Sequence, residues 1–146
     1  MKTSDKGIEL IKGFETLHLK AYMCPAGKYT IGWGHTLGVT PTQRISLEVA
    51  EGLLREDLRV AEACVSKIAG LTQNQFDALV SFVFNVGVQA FSSSRLRRLV
   101  AANRNDEDIR QEFSRWKFAT VGGEKVVLPG LERRRKEEAD MYFKNI

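Results

Sequence analysis

The segment from Thr72 to Gly87 restricts the fold of this chain more than any other feature. Its first residues form a capping box, in which Thr72 and Gln75 satisfy each other's backbone groups at the start of a helix. The residues behind the box are apolar around almost the whole helix surface: Phe76, Leu79, Val80, Phe82, Val83, Phe84 and Val86. Such a helix must be covered on nearly every side, so it is predicted to lie in the middle of a core.

Other stretches have the three- and four-residue apolar spacing of amphipathic helices, which would cover this central helix. Gly122 and Gly123 mark a turn, and the whole second half of the chain is otherwise predicted to be helical. The predicted covering helices are residues 4–15, residues 46–68, one from Ser92 or Ser93, one from Asp106 and one opened by Pro129.

Between the first helix and the long helix, the pattern changes to that of a strand. From Tyr29 to Gly34, large side chains alternate with threonine and glycine, which is the two-residue period of a strand. Pro25 and Gly27 have turn chemistry, so Cys24 and Thr30 are expected to flank a turn at which the chain folds back. A small sheet is therefore predicted after the first helix.

Composition and charge exclude several classes of function. No apolar run approaches the ~20 residues that a bilayer span needs, and the first ten residues contain no apolar segment, so we expect neither a membrane span nor a secretory signal. Two cysteines and two histidines are too few for a disulfide framework or a usual zinc site, and no metal or other cofactor is expected. The net charge of +4 favours an anionic partner, whether nucleic acid, membrane or bacterial cell wall.

Three residues near the predicted turn carry candidate chemistry. Glu15 ends the first helix on or beside its apolar face, where partial desolvation favours the protonated carboxyl group. Such a group can act as a general acid, or it can merely cap backbone groups or pair with a lysine. Taken alone, Thr30 is an ordinary strand residue and Cys24 a small, half-buried hydrophobic one.

Taken together, these residues lie in a segment, from Leu10 to Thr36, that resembles the active-site region of the phage-type lysozymes, glycoside hydrolases that cut bacterial peptidoglycan. In that family a glutamate is followed, after eight residues, by an aspartate or sometimes a cysteine, and after five more by a threonine in a TIGxGH-like strand. Glu15, Cys24 and Thr30 have these spacings. The resemblance extends to the later segments FDALVSFVFNVG, SRW and GLERRR, so it covers nearly the whole chain.

The resemblance implies one lysozyme-like domain with an α+β fold that is mainly α-helical. A small sheet lobe of about residues 16–45 would be joined by the long helix, about 46–68, to a helical lobe, about 72–146. The helix of residues 4–15 would pack on the helical lobe, and a substrate cleft would lie between the two lobes.

The resemblance also implies an endolysin that hydrolyses the β-1,4 bond between N-acetylmuramic acid and N-acetylglucosamine. Glu15 would donate a proton to the oxygen of that bond, while Cys24 and Thr30 would manage the attacking water. The protein would be a monomer made in the host cytoplasm, reaching peptidoglycan after another protein has breached the membrane. A lytic transglycosylase, which needs only one acid and forms an anhydro ring, is the first alternative.

Cys24 departs from the more usual aspartate, and a thiol with an ordinary pKa is mostly uncharged at neutral pH. Lys20 or Lys28, if either lies close, would lower the thiol pKa and make the thiolate a nucleophile or base. Otherwise Cys24 would only orient water. Oxidation of Cys24, or a disulfide with Cys64, would inactivate the enzyme, although Cys64 falls on an apolar helix stripe that is typical of a core residue.

The resemblance places Thr36, Phe84 and Ser94 near positions where related enzymes contact sugar. Phe84 fits the core of the central helix equally well. His35 is expected to be mainly structural and to pair with a carboxylate.

Two basic clusters, residues 95–98 and 133–136, are typical of solvated helix faces. They would also suit an anionic wall or outer-membrane surface, with Met141, Tyr142 and Phe143 letting an amphipathic last helix touch lipid. A non-catalytic wall-binding or membrane-disrupting protein is therefore the second alternative. No base-reading motif accompanies the clusters, so nucleic acid is not an expected partner.

Overall fold

The computed structural model describes residues 1–144, which form seven helices and two small antiparallel sheets around a common core. This α+β, mainly helical architecture confirms the predicted fold class. The elements in chain order are α1 Asp5–Phe14, β1 His18–Met23, β2 Tyr29–Gly32, α2 Leu47–Val65, α3 Gln73–Val86, α4 Val88–Ser92, α5 Arg95–Ala102, α6 Asp108–Ser114, β3 Phe118–Val121, β4 Glu124–Val127 and α7 Pro129–Tyr142.

Helix α3 lies at the centre of the core, in contact with α1, α2, α4 and α7. The predicted capping box is present, with Gln75 N donating to Thr72 Oγ1 over 3.1 Å and Thr72 N donating to Gln75 Oε1 over 3.0 Å. Phe82 is fully buried and makes edge-to-face contacts with aromatic rings of three neighbouring segments: Phe91, Phe113 and Trp116. The all-round apolar pattern thus corresponds to an all-round covered helix.

Strands β1 and β2 form the predicted small sheet after α1. They pair antiparallel across the turn that contains Pro25 and Gly27, with Tyr22 opposite Thr30. The long helix α2 then begins at Leu47, because the Ser46 hydroxyl accepts a hydrogen bond from Val49 N over 3.2 Å. It ends at Val65, three residues before the predicted end.

The prediction that the second half is all helical is wrong. Strands β3 and β4 pair antiparallel across the Gly122–Gly123 turn, where both glycines have positive φ, +59° and +84°. Tight hairpin turns require such backbone angles, and the flanking valines and threonine favour extended backbone. The glycine turn was predicted, but the strands on either side of it were not.

The last helix has its apolar residues turned into the protein. Tyr142 is buried and its hydroxyl donates to the Arg104 carbonyl oxygen over 2.7 Å, while Met141 and Phe143 pack against the core. The apolar contacts that the membrane-disrupting alternative requires are thus used inside the fold. Within residues 1–144, no helix combines the length and apolar character needed to cross a bilayer.

Candidate active site

Glu15 lies where three parts of the structure meet. It caps the C-terminal end of α1, with its backbone N–H donating to the Ile11 carbonyl oxygen over 3.1 Å, and about a quarter of its side chain, 26%, is exposed. Oε1 accepts a hydrogen bond from Nη1 of Arg134, on α7, over 3.1 Å. Oε2 faces the loop after β2, since a Cβ atom built on Gly34 would lie 3.8 Å from it.

Gly34 has a φ of +87°, a conformation that disfavours any residue with a Cβ atom. The glycine therefore allows the loop backbone to take this path beside the Glu15 carboxyl group. The carboxyl group lies between this loop and Arg134 and keeps access to solvent.

Arg134 is the functional candidate that sequence reasoning missed. We expected Glu15 to be surrounded by apolar groups, whereas the guanidinium group of Arg134, whose side chain is only 4% exposed, lies against it. The residue belongs to the GLERRR segment, which is one of the later segments that carry the family resemblance and overlaps a basic cluster. Nothing local in the sequence connects it with Glu15, which is 119 positions away.

Cys24 and Thr30 are brought together by the first hairpin. Cys24 N donates to the Lys28 carbonyl oxygen over 2.9 Å, and Gly27 N donates to the Cys24 carbonyl oxygen over 2.9 Å, which closes the turn. Thr30 is buried, and its hydroxyl has two acceptors for its one proton, the Lys28 carbonyl oxygen at 3.1 Å and the Cys24 sulfur. Cys24 remains partly exposed.

Hydrogen bonding lowers the pKa of the Cys24 thiol below its ordinary value. The main cause is the Thr30 hydroxyl, which favours the thiolate, and backbone groups of the turn, first that of Lys28, add to the effect. From the sequence, the charge of Lys20 or Lys28 was one possible cause of a lowered thiol pKa. In the structure the cause is the hydrogen bonds of the turn instead.

His35 fastens the end of the same hairpin to α2. Its Nδ1 lies 2.9 Å from Oδ2 of Asp57, and its Nε2 lies 2.9 Å from the Leu37 carbonyl oxygen. The predicted pairing of His35 with a carboxylate is confirmed. One continuous segment therefore carries Cys24, Thr30 and Gly34, the last of which adjoins Glu15.

The three predicted sugar contacts lie in different surroundings. Thr36 is exposed in the loop after β2. Phe84 is half-buried, packs against the core, and lines a cavity of about 200 Å³ together with Asp57. Ser94 is buried as the N-cap of α5, where its hydroxyl accepts from Arg97 N over 3.0 Å and donates to the Phe91 carbonyl oxygen over 2.6 Å. The Ser94 hydroxyl is therefore used within the fold.

Both cysteines are free thiols. Cys64 is buried near the end of α2, with its sulfur 3.9 Å from the Ser92 hydroxyl. This placement agrees with the expectation of a core residue.

A larger cavity of about 610 Å³ is lined by residues of the second hairpin and of the helices around it. Glu15, Cys24 and Thr30 are not among its lining residues. Those residues are Asn85, Val86, Arg95, Glu112, Arg115, Trp116, Phe118, Lys125, Leu131 and Arg135.

Comparisons with known proteins show to which family the chain belongs. Residues 12–138 match the family model described as phage lysozyme. An endolysin of Acyrthosiphon pisum secondary endosymbiont phage 1 is 43% identical, with 97% of this chain and 98% of that protein covered.

Two solved structures are similar over nearly the whole chain. The muramidase domain of SpmX from Asticaccaulis excentricus superimposes with a TM-score of 0.93 at 40% identity, covering 99% of each chain. The endolysin from Escherichia coli O157:H7 phage FAHEc1 gives a TM-score of 0.88 at 37% identity, covering 100% of this chain and 96% of the other. The chain therefore belongs to the phage lysozyme family, a family of glycoside hydrolases.

Proposed function

We propose that this chain is an endolysin that hydrolyses the β-1,4 bond between N-acetylmuramic acid and N-acetylglucosamine, with Glu15 as the general acid and Cys24 and Thr30 as the groups that manage water. Family membership supports peptidoglycan as the substrate. The observation that carries the residue assignment is the position of Glu15, whose carboxyl group is partly exposed and held by Arg134 beside the loop that follows the hairpin of Cys24 and Thr30.

In the proposed reaction, Glu15 transfers its proton to the bridging oxygen as the bond from that oxygen to the anomeric carbon of N-acetylmuramic acid breaks. The departing N-acetylglucosamine leaves as an alcohol, and positive charge develops on the remaining sugar. Arg134 then stabilises the carboxylate that Glu15 becomes. The hydrogen bond of 3.1 Å thus serves the product state of the proton transfer.

Water completes the hydrolysis from the side of the hairpin. Its oxygen bonds to the anomeric carbon, and the Cys24 thiolate accepts its proton. The Thr30 hydroxyl favours that thiolate, so the lowered thiol pKa increases the fraction of Cys24 that carries a negative charge at the position of the more usual aspartate. Thr36 and Phe84 are kept as proposed sugar contacts beside these three residues.

The proposal extends to where the protein works. We expect a monomer that acts on the cell wall after another protein has opened the membrane. Exposed basic residues, including Arg98 and Arg133, would favour approach to the anionic wall.

The test is digestion of purified peptidoglycan by the native protein and by Glu15→Gln, followed by turbidity and mass spectrometry of the products. The native protein is expected to release fragments with a reducing N-acetylmuramic acid end, and Glu15→Gln is expected to be inactive. Full clearance by Glu15→Gln would exclude the catalytic assignment and favour a wall-binding protein. Fragments with a 1,6-anhydro end would identify a transglycosylase instead.

A further inference from the structure

The contact between Arg134 and Glu15 is one edge of a buried ion network centred on Glu138 of α7. Glu138 is fully buried, and its Oε2 accepts hydrogen bonds from Ser81 Oγ over 2.6 Å and from Arg134 Nε over 3.2 Å. Arg135 adds its Nη2, which donates to the same oxygen over 3.3 Å, and its Nε, which lies 2.7 Å from Glu138 Oε1. Three charged side chains of one helix therefore share one buried site.

Arg134 is held by all three nitrogens of its guanidinium group. Nε donates to Glu138, and Nη2 donates to the Ser81 carbonyl oxygen over 3.1 Å. The ring of Phe14 lies over the group, with its centroid 5.3 Å from the guanidinium carbon. Once these contacts are made, Nη1 is directed to Glu15. A planar guanidinium group fixed in this way sets the position of its last partner.

The charges of the network balance, since Arg134 and Arg135 face Glu138 and Glu15. Burial lowers the pKa of Arg135 and raises the pKa of Glu138, so each ion depends on the others to remain charged. If Glu138 carried no charge, it would no longer offset the positive charge of Arg134, and more of that charge would act on Glu15. Glu15 would then be held more firmly as a carboxylate, the form that has no proton to give.

We propose that Glu138 is a positioning residue for the reaction, which holds Arg134 in place against Glu15 and offsets enough of the guanidinium charge for Glu15 to remain an effective acid. This inference rests on the proposed function, in which Glu15 is the acid. In the described part of the chain, the groups facing the network are Glu15 from α1, Ser81 and Asn85 from α3, the Trp116 carbonyl oxygen after α6, and Arg134, Arg135 and Glu138 from α7.

The test is the pH dependence of kcat/KM on purified peptidoglycan for Glu138→Gln, which keeps the shape of the side chain and removes its charge. A general acid is lost when it deprotonates, so the alkaline limb of the profile reports it. We expect this limb to move to lower pH by about one unit, because the Arg134 charge that Glu138 no longer offsets stabilises the Glu15 carboxylate, and a charge close to a carboxyl group has an effect of about this size. A profile that superimposes on that of the native protein, or that moves to higher pH, would overturn the proposal.

Arg135→Gln gives a prediction of opposite sign at the same buried carboxylate. Without Arg135, the negative charge of Glu138 offsets only the charge of Arg134. The alkaline limb is therefore expected to stay in place or to move to higher pH. A purely structural role for Glu138 does not distinguish the two variants in this way. Movement of the Arg135→Gln limb to lower pH would contradict the assignment.

Two further variants separate chemistry from folding. Glu138→Gln combined with Arg135→Gln removes one charge of each sign, which limits the cost of burial and keeps the net charge that faces Glu15 at its native value. Its limb should lie at lower pH than that of Arg135→Gln, because the two variants differ only in the charge of Glu138, and equal limbs would overturn the proposal even if Glu138→Gln alone does not fold. Asp140→Asn is the matched control, since Asp140 lies on the same helix in an exposed pair with Arg110. Its profile should be unchanged, and a shift equal to that of Glu138→Gln would refute the proposal.

Glu15→Gln, assayed beside these variants, distinguishes the two levels of inference. An active Glu15→Gln would remove the proposed function itself. An inactive Glu15→Gln together with an unmoved Glu138→Gln profile would leave the function standing and exclude only the role of Glu138.

Discussion

The two sides of the proposed active site are held in place by different physical means. Cys24 and Thr30 lie in one short hairpin, where backbone hydrogen bonds across a turn set their positions and the thiol stays partly exposed. Arg134 reaches Glu15 from the far end of the chain and is fixed by buried charges. Changes on the hairpin side should therefore alter chemistry with little loss of stability, whereas changes on the α7 side should alter both.

Arg134→Gln should give the largest effect on stability. It leaves Glu138 with one cationic partner and Glu15 with none of the contact described here, so we expect the free energy of unfolding to fall by about 3 kcal/mol, as for other broken buried pairs. Urea unfolding followed by circular dichroism measures this. Activity should fall in parallel.

Arg133→Gln is the matched control, since Arg133 is the preceding residue and its pair with Glu137 is largely exposed. Its free energy of unfolding should change by less than about 0.5 kcal/mol. Equal losses in Arg133→Gln and Arg134→Gln would remove the distinction between buried and exposed members of the basic cluster.

Substitutions of the two cysteines test whether a change in the hairpin alters activity without loss of stability. Cys24→Ala should lower kcat by about 100-fold, the scale of a lost general base, with little change in Tm. Cys24→Asp should retain activity, since it restores a carboxylate at that position. Near-normal turnover of Cys24→Ala would make the thiol dispensable and the assignment wrong.

Cys64→Ala should show the reverse behaviour, because Cys64 is buried away from the hairpin. Its Tm should fall and its kcat should stay near that of the native protein. If Cys64→Ala lost activity at native stability, the two thiols would have to be functionally connected.

Thr30→Val should have the smallest effect of these substitutions, and it should act on the pKa of the Cys24 thiol. It removes the hydroxyl that favours the thiolate, so the thiol pKa should rise toward its ordinary value and less thiolate should be present at neutral pH. The rate of Cys24 alkylation by iodoacetamide at pH 7 should fall by about threefold, since one partly exposed hydrogen bond changes an equilibrium by less than tenfold. The pH midpoint of alkylation checks the sign, and a lower midpoint would contradict the role of Thr30.

A comparison of the two basic clusters explains why the contact of Arg134 with Glu15 could not be predicted from the sequence. Both were predicted to be solvated helix faces, and Arg95 and Arg98 on α5 fit that prediction because they are exposed. Arg134 and Arg135 on α7 do not fit it, since both are buried. The difference arises because α7 packs against α3, which supplies Ser81 and Asn85 as partners. A run of arginines does not reveal which of its members will face another helix.

The second hairpin was missed for a related reason. Its strands are short and largely exposed, so they lack the alternation of buried and solvated residues by which a strand is recognised. The glycine turn alone carried information about this region. The central helix α3 was predicted accurately because apolar residues lie around almost its whole surface, which predicts that it is covered on all sides.

The amino-acid sequence alone determined the core helix, the first hairpin with Cys24 and Thr30 on either side of its turn, and the family to which the chain belongs. These features depend on neighbours within a few residues or on the apolar pattern of one helix. Only the tertiary structure decided that Arg134 contacts Glu15, that Glu138 holds Arg134, and that the Thr30 hydroxyl rather than a lysine favours the thiolate. Those contacts depend on distances and burial, which are set when distant segments pack and which residue spacing does not encode.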